Sequence, residues 1–188
     1  MIEILLIIAA VIIFFCLLMG GWVIGVFNTF KSAQQDIKTQ WSNILSEYQR
    51  RSDLFYNLVE ATKSHKKFEK ETLVGIAQAR SGNFGATKVT QMSKLKGLDG
   101  FFQRLMVVME AYPNLKSYKQ HNKLIDEIRI TEDRINIART DYNEIVGDYN
   151  KKITTFPSNT IAGMFKFSVE EFFQNESGTE KAPKIDLH

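Results

Sequence analysis

Cysteine, histidine and proline are scarce in this chain, and each shortage excludes a class of protein. Cys16 is the only cysteine among 188 residues, so neither an intrachain disulfide nor a site of several thiolate ligands can form. The three histidines, His65, His121 and His188, lie far apart and lack the H-E-x-x-H spacing of zinc hydrolases. With only three prolines, long stretches contain nothing that forbids a helix.

Motifs for nucleotide binding and nucleophilic catalysis are also missing. The sequence has no G-x-x-x-x-G-K-[ST] phosphate loop and no G-x-S-x-G nucleophile turn. Carboxylates and arginines cluster between residues 126 and 139, but the spacings Asp126–Arg129 and Arg129–Asp133 are those of ordinary ion pairs on one helix. We therefore expect solvated side chains there, and a protein that is not an enzyme and that uses no metal or other cofactor.

Charge is absent from one long segment near the N-terminus. Residues 4–30 contain no Asp, Glu, Lys or Arg, and residues 4–19 are almost purely aliphatic or aromatic. A helix that crosses ~30 Å of hydrocarbon needs roughly 20 apolar residues. A cleaved signal peptide is the alternative, but it begins with basic residues, and only Glu3 precedes this apolar run. We predict an uncleaved transmembrane anchor over residues 1–27.

Residues 28–174 show the spacing of amphipathic helices, and residues 175–188 are expected to form a loose polar tail. On the first helix, apolar positions recur at steps of three, four or seven, and Lys38, Glu47, Arg51 and Glu60 are assigned to faces in contact with water. A second helix is predicted before the stop at Tyr112-Pro113. The apolar positions of the two helices are Ile37, Trp41, Ile44, Tyr48, Phe55, Leu58 and Thr62, then Met92, Leu95, Leu98, Phe102, Leu105 and Met109.

A third helix, predicted over residues 117–155, has the most regular pattern. Its apolar positions alternate steps of four and three over nearly four heptads, which is typical of coiled-coil packing. The triplet Asp-Tyr-Asn at residues 141–143 recurs at 148–150, on the same face. The seam consists of Leu124, Ile128, Thr131, Ile135, Ala138, Tyr142, Ile145 and Tyr149.

Two sets of residues are candidates for self-assembly. Gly21 and Gly25 form a G-x-x-x-G in the apolar segment, a spacing that lets membrane helices approach closely. After the stop at Pro157, residues 161–173 are apolar and short, and a thin three-helix bundle would leave them uncovered. We expect homo-oligomer contacts there, or alternatively a short fourth helix that closes the core of the monomer. The aromatic candidates are Phe165, Phe167, Phe172 and Phe173.

Positive charge is concentrated between residues 63 and 104. That segment holds nine Lys or Arg against three Asp or Glu, an excess of six, whereas the whole chain has a net charge of +3. A solvated helical hairpin and a contact surface for anionic lipid or an acidic membrane protein both fit this composition. Nucleic acid is not expected, because few aromatic residues accompany the charge. The candidate contact residues are Lys63, Lys66, Lys67, Lys70, Lys88, Lys94 and Lys96.

Several ordered blocks resemble the bacterial LemA family. Residues 41–44 and 50–59 (WSNI and RRSDLFYNLV) resemble the family pattern W-x-x-I…R-R-x-D-L-I-P-N-L-V, and residues 110–116 (EAYPNLK) resemble E-A-Y-P-x-L-K. The match continues through residues 131–135, the two Tyr-Asn pairs, and residues 156–162. Tyr56 stands where the family usually has proline. The resemblance covers nearly the whole chain.

The resemblance implies an all-α protein with a single N-terminal span and a cytoplasmic bundle of long antiparallel helices. It suggests that Arg50, Arg51 and Asp53 belong to an interhelical polar network. It implies a scaffold for membrane organisation or remodelling that acts through self-assembly and through membrane or partner contacts, and no reaction. The alternative is an adaptor subunit of a membrane-bound protease or signalling kinase. Lys31 and Lys38 follow the span, so the positive-inside rule favours an outside N-terminus and a cytoplasmic bundle at the bacterial inner membrane.

Overall fold

The computed structural model describes residues 1–62, 74, 87–110 and 119–173, and in these ranges it contains four helices and no strand. The helices are α1 (Ile2–Thr62), α2 (Lys88–Glu110), α3 (Lys119–Thr154) and α4 (Ser158–Met164). The predicted all-α class is therefore confirmed. The predicted stops at residues 81–85 and at Pro113, and the tail, lie outside the described residues.

The chain divides into two compact units. The first contains residues 1–40 and 141–172, and the second contains Phe173 and the described residues between 41 and 140. Helices α1 and α3 each contribute residues to both units.

The core of the second unit is built from α1, α2 and α3. Phe55 of α1 and Phe102 of α2 stack with their ring centroids 4.5 Å apart and their planes 4° from parallel. Both rings are fully buried, as is Ile128 of α3. Each such side chain stabilises the unit by about 1.5–3 kcal/mol through removal from water. The buried cluster is Leu54, Phe55, Leu58, Val59, Phe102, Leu105 and Ile128.

The predicted apolar face of α1 is buried, but the assignment of Arg51 to a wet face was wrong. Arg51 is only 2% exposed. It lies three residues after Tyr48 and four before Phe55, so helical geometry places it on the buried face. The sequence interpretation gave weight to its charge instead of its position. Helix α1 also continues without interruption through Tyr56, where the family has proline.

The seam of α3 is buried as predicted over most of its length, with one change of register. Ile145 is half-buried, and Val146 is fully buried in its place. An α-helix has 3.6 residues per turn, so a strict seven-residue repeat drifts around its surface. The buried line therefore continues through Tyr149 and Ile153.

In the first unit, the chain after α3 turns back along the helices. Helix α4 buries Ile161 and Ala162 and ends in a Schellman motif. The backbone N–H of Phe167 donates to the Ala162 carbonyl, and that of Lys166 donates to the Gly163 carbonyl. Lys166 has φ 57°, the left-handed conformation that this motif requires. Residues 167–173 then run without helix, so the helical part of the predicted segment ends at Met164.

The N-terminal part of α1 is apolar and uncovered. Every residue from 1 to 22 is exposed. Among the described residues, α1 is the one helix long and apolar enough to cross a membrane.

Candidate functional site

A partly buried carboxylate joins the three helices of the second unit. Asp99 of α2 accepts hydrogen bonds from the Tyr48 hydroxyl at 2.9 and 3.0 Å, and Arg51 Nη1 donates to it at 3.3 Å. Arg139 Nη2 of α3 contacts both Asp99 and the Tyr48 hydroxyl. One acidic side chain therefore balances two guanidinium groups from two different helices. We call Tyr48, Arg51, Asp99, Glu132 and Arg139 the arginine clasp.

Each arginine of the clasp has further partners. Arg51 Nη2 donates to Glu132 Oε2 at 3.2 Å, and its guanidinium lies 4.7 Å from the Phe102 ring centroid. The Arg139 guanidinium lies 4.6 Å from the Phe173 ring. A planar guanidinium can stack on an aromatic face while its edge donates hydrogen bonds, which a lysine cannot reproduce.

Burial and neighbouring groups shift the pKa values of Tyr48 and Arg139 in the clasp. Desolvation raises the pKa of Tyr48 far above its usual range; Asp99 adds to this rise and Arg139 opposes it. Burial lowers the pKa of Arg139, but the neighbouring Tyr48 and Asp99 outweigh that effect, so the net pKa is raised. A general acid or base needs a pKa near neutrality. Both groups move away from it, so they serve as fixed hydrogen-bond partners.

The sequence interpretation missed most of this site. It assigned Glu132 and Arg139 to a solvated surface, and that was wrong: Arg139 is only 16% exposed, and Glu132 binds Arg51. Of the residues suggested by the family blocks, Arg51 lies in the clasp, whereas Arg50 is exposed. The sequence signal that could have identified Arg139 was its helical position, because it directly follows the seam residue Ala138.

Tyrosine and asparagine side chains of the repeated Asp-Tyr-Asn triplet bind the non-helical segment that follows α4. The Tyr142 hydroxyl donates to the Glu171 carbonyl, and the Tyr149 hydroxyl donates to the Ser168 carbonyl, each at 3.1 Å. Asn150 donates to the Glu170 carbonyl and accepts from the Glu170 N–H, both at 2.9 Å. Side chains seven residues apart thus bind main-chain groups of residues 168–171. Because these hydrogen bonds are made to main-chain atoms, they do not depend on which side chains residues 168–171 carry.

Two tyrosines of this unit also have shifted pKa values. Burial, followed by the nearby Glu170 and Glu171, raises the pKa of Tyr142 to about 12. Burial also raises the pKa of Tyr149, a hydrogen bond from Gln34 opposes the rise, and Glu170 adds to it. Both hydroxyls therefore remain donors at neutral pH.

An aromatic cluster attaches the same segment to α1. The ring centroids of Phe165 and Phe167 lie 4.9 and 5.7 Å from that of Phe27, and Phe167 lies 5.1 Å from Phe30. The Lys31 ammonium lies 5.1 Å from the Phe167 ring. These edge-on contacts connect the end of the apolar stretch of α1 to the residues after α4.

The comparison with protein families settles the resemblance. The model of the LemA family matches residues 40–187. This chain belongs to the LemA family.

The LemA assignment is supported by named relatives. Protein LemA of Metamycoplasma hominis is 31% identical over 156 residues, covering 80% of this chain and 71% of that relative. Magnetosome proteins MamQ 1 and MamQ 2 of Paramagnetospirillum magneticum are each 30% identical over 177 residues, covering 80% of this chain. The chain matches 65% of the length of these MamQ relatives. Together with the exposed apolar helix, these similarities support a membrane-associated helical protein.

The structure distributes the candidate assembly residues of this LemA protein over several environments. Phe173 is buried between Trp41 and Arg139, and Phe167 is half-buried. Phe165 and Phe172 remain about half exposed. Among the described residues, no other side chain lies within 4 Å of the position that a Cβ would take on Gly21 or Gly25. A role of these residues in oligomer contacts stays a prediction.

The candidate lysines fall into two groups. Lys63, Lys66, Lys67 and Lys70 lie outside the described residues. On α2, Lys94 is exposed, and Lys88 and Lys96 are half-buried. Their contact with lipid or an acidic partner stays a prediction. Across the described ranges, no three His, Cys, Asp or Glu side chains are grouped closely enough to hold a metal ion.

Proposed function

We propose that this protein is a membrane-anchored helical scaffold that helps to organise a membrane through self-assembly and through lipid or partner contacts, and that it is not an enzyme. The observation that carries the proposal is the exposed apolar stretch of α1, residues 1–22. Each large apolar side chain left in water costs about 1.5–3 kcal/mol, so this stretch requires a lipid or protein environment. Its length matches the roughly 20 residues that a bilayer needs.

The arginine clasp supports a scaffold. It connects α1, α2 and α3 through one carboxylate. Such a network specifies which helix faces meet. The MamQ relatives are named magnetosome proteins, and we carry over to this chain a role in a membrane-bound assembly.

We further propose a single-pass topology in the bacterial inner membrane, with the N-terminus outside and the helical domain in the cytoplasm. Lys31 and Lys38 follow the charge-free segment, and only Glu3 precedes it. Cytoplasmic flanks are enriched in lysine and arginine, so this asymmetry supports the orientation.

Chemical crosslinking of the full-length protein in intact bacterial membranes tests the scaffold. We expect the protein to stay in the pellet after alkaline carbonate extraction, and its main crosslinked product to be a ladder of its own oligomers. A stoichiometric crosslink to a membrane protease or kinase would instead establish an adaptor. A carbonate-soluble protein would contradict the anchor itself.

A matched pair of variants controls the anchor. Ile8→Arg with Ile12→Arg places two charges in the apolar stretch, each opposing insertion by roughly 2.5–3.5 kcal/mol. Asn136→Arg with Ile137→Arg adds the same charges at exposed positions of α3. We expect the first variant to leave the membrane fraction and the second to remain.

A further inference from the structure

The chain around α4 exposes apolar side chains beside the end of the apolar stretch. Phe156 before the helix is 79% exposed, Met164 at its end is 67% exposed, and Phe165 is about half exposed. The inner side of α4 is already occupied, because Ile161 and Ala162 are buried. The exposed side chains therefore have no place in the core of their own unit.

The same region carries only positive charge. Residues 27–35 and 149–169 include Lys31, Lys151, Lys152 and Lys166, and they contain no aspartate or glutamate. Three of these lysines flank α4, and all four are exposed. Exposed aromatic and apolar side chains mixed with lysines are typical of segments that lie in the interface of a membrane.

Helix geometry places this region at the depth of the lipid headgroups, provided that α1 crosses the membrane as proposed. If residues 4–23 fill the ~30 Å of hydrocarbon, Phe27 lies about 6 Å beyond it at 1.5 Å per residue. Each headgroup layer is roughly 5–7 Å thick. The Phe165 ring lies 4.9 Å from the Phe27 ring, so Phe165 is at this depth as well.

We propose that α4 and its flanks form an interfacial lipid-binding site, in which Phe156, Met164 and Phe165 enter the headgroup layer and Lys151, Lys152 and Lys166 bind the phosphates of anionic phospholipids. The inference rests on the proposed transmembrane anchor. In this arrangement the first unit contacts the membrane through the apolar stretch of α1 and through the chain around α4, which are more than a hundred residues apart in sequence.

Site-directed spin labelling of the full-length protein in vesicles tests this site. Single cysteines replace Phe156, Met164, Val169 or Ile12 in a Cys16→Ser background, and the label's collision rates with oxygen and with a water-soluble nickel complex report its depth. Val169 is the matched control, because it is an exposed apolar residue of the same unit. The carbonyl of the neighbouring Ser168 accepts a hydrogen bond from Tyr149, and the Tyr149 hydroxyl accepts one from Gln34. Gln34 lies about 10 Å further along α1 than Phe27, so Val169 lies farther from the bilayer than Phe165 does.

In vesicles of phosphatidylcholine with phosphatidylglycerol, we expect labels at 156 and 164 to be shielded from nickel and the label at 169 to be accessible. The label at 12 separates the two proposals. If it is buried in hydrocarbon while 156 and 164 are as accessible as 169, the interfacial site is wrong and the anchor stands. If the label at 12 is itself accessible to nickel, the anchor is wrong.

The lysines are tested by Lys151→Gln with Lys152→Gln, in the variant labelled at 156. A lysine at an anionic surface contributes about 1 kcal/mol to membrane binding. The loss of two lysines therefore lowers the ratio of protein with α4 bound at the interface to protein with α4 released by about thirtyfold. Lys123→Gln with Arg134→Gln removes the same charge from exposed positions of α3 and should leave the depth unchanged. An unchanged depth of the Lys151→Gln with Lys152→Gln variant in vesicles with phosphatidylglycerol, or an equal depth of the unsubstituted lysines in pure phosphatidylcholine, would overturn the contacts with anionic phospholipid.

Discussion

Replacing Asp99 by asparagine removes the negative charge that the arginine clasp shares between its two arginines, while the side chain keeps its size. Asp99 accepts from Tyr48 and Arg51 and contacts Arg139, and it is 18% exposed. After the substitution, Arg139 loses the carboxylate of Asp99, and Arg51 retains the partly exposed Glu132. Two guanidinium groups then face each other with too little negative charge between them.

The expected loss of stability follows from this burial. Removing one partner of a buried ion pair costs about 3–5 kcal/mol, because the remaining charge is left without compensation. Asparagine still accepts a hydrogen bond and the site is not fully sealed, so we expect the lower end, about 3 kcal/mol. With a urea slope of about 2 kcal/mol/M, the unfolding midpoint falls by about 1.5 M.

Trp41 provides the assay. It is buried and its indole N–H donates to Gln91 Oε1 at 2.6 Å, so its fluorescence reports packing of the second unit. Urea unfolding of the full-length protein in mild detergent is followed in a Trp22→Phe background. The control is Asp126→Asn, which makes the same chemical change in a surface pair with Arg129 at 4.0 Å. Exposed pairs contribute at most about 1 kcal/mol.

A midpoint for Asp99→Asn that is indistinguishable from that of Asp126→Asn would refute the reasoning. A double-mutant cycle provides a second criterion. If Asp99 balances Arg139, then Arg139→Gln should cost less in the Asp99→Asn background than alone, with a coupling free energy of about 0.5–3 kcal/mol. Strict additivity would show that the two side chains do not interact.

The remaining predictions concern the first unit. Gly147→Ala should raise the free energy of unfolding by about 0.5–1 kcal/mol, because alanine favours the helix and its Cβ would lie 3.6 Å from Phe172, an ordinary contact; a lower midpoint in urea would contradict this. Lys166→Gly should stabilise by about 1 kcal/mol, since glycine adopts the left-handed conformation without a steric penalty, and Lys166→Ala, which keeps that penalty, should not. Tyr142 has a higher pKa in the folded protein, so its contribution is complete below pH 10 and is lost as the pH rises towards 12. In urea titrations from pH 9 to 12, we expect Tyr142→Phe to show about 1–2 kcal/mol less alkaline destabilisation than the unsubstituted protein, after solvent screening.

Periodicity in the sequence was sufficient to predict the helices because a helix is a local structure. The steps of three and four on α1 and α3 match the faces that the structure buries, including Tyr48, Ile128 and Tyr142. Pro157 indicated where α3 stops. The assignment failed at Arg51, Glu132 and Arg139, because residue type was used in place of helical position.

The Asp-Tyr-Asn repeat shows what sequence spacing can predict and what only the tertiary structure reveals. The spacing of seven residues indicated that Tyr142 and Tyr149 share a face. It did not indicate what they bind, because the acceptors are main-chain carbonyls of Glu171 and Ser168, and every residue has such a carbonyl. No sequence signal distinguishes those acceptors from others.

The sequence by itself determined the helical class, the uncharged apolar segment of residues 4–30 and the family, because each depends on residues close together along the chain or on ordered blocks. The tertiary structure alone decided which charges are buried together. Tyr48 and Asp99 are 51 positions apart, and Arg51 and Glu132 are 81 apart. A buried charge is stable only beside its counter-charge, and that proximity arises when separate helices pack. The arginine clasp and the aromatic contacts between α1 and the residues after α4 therefore became visible only in three dimensions.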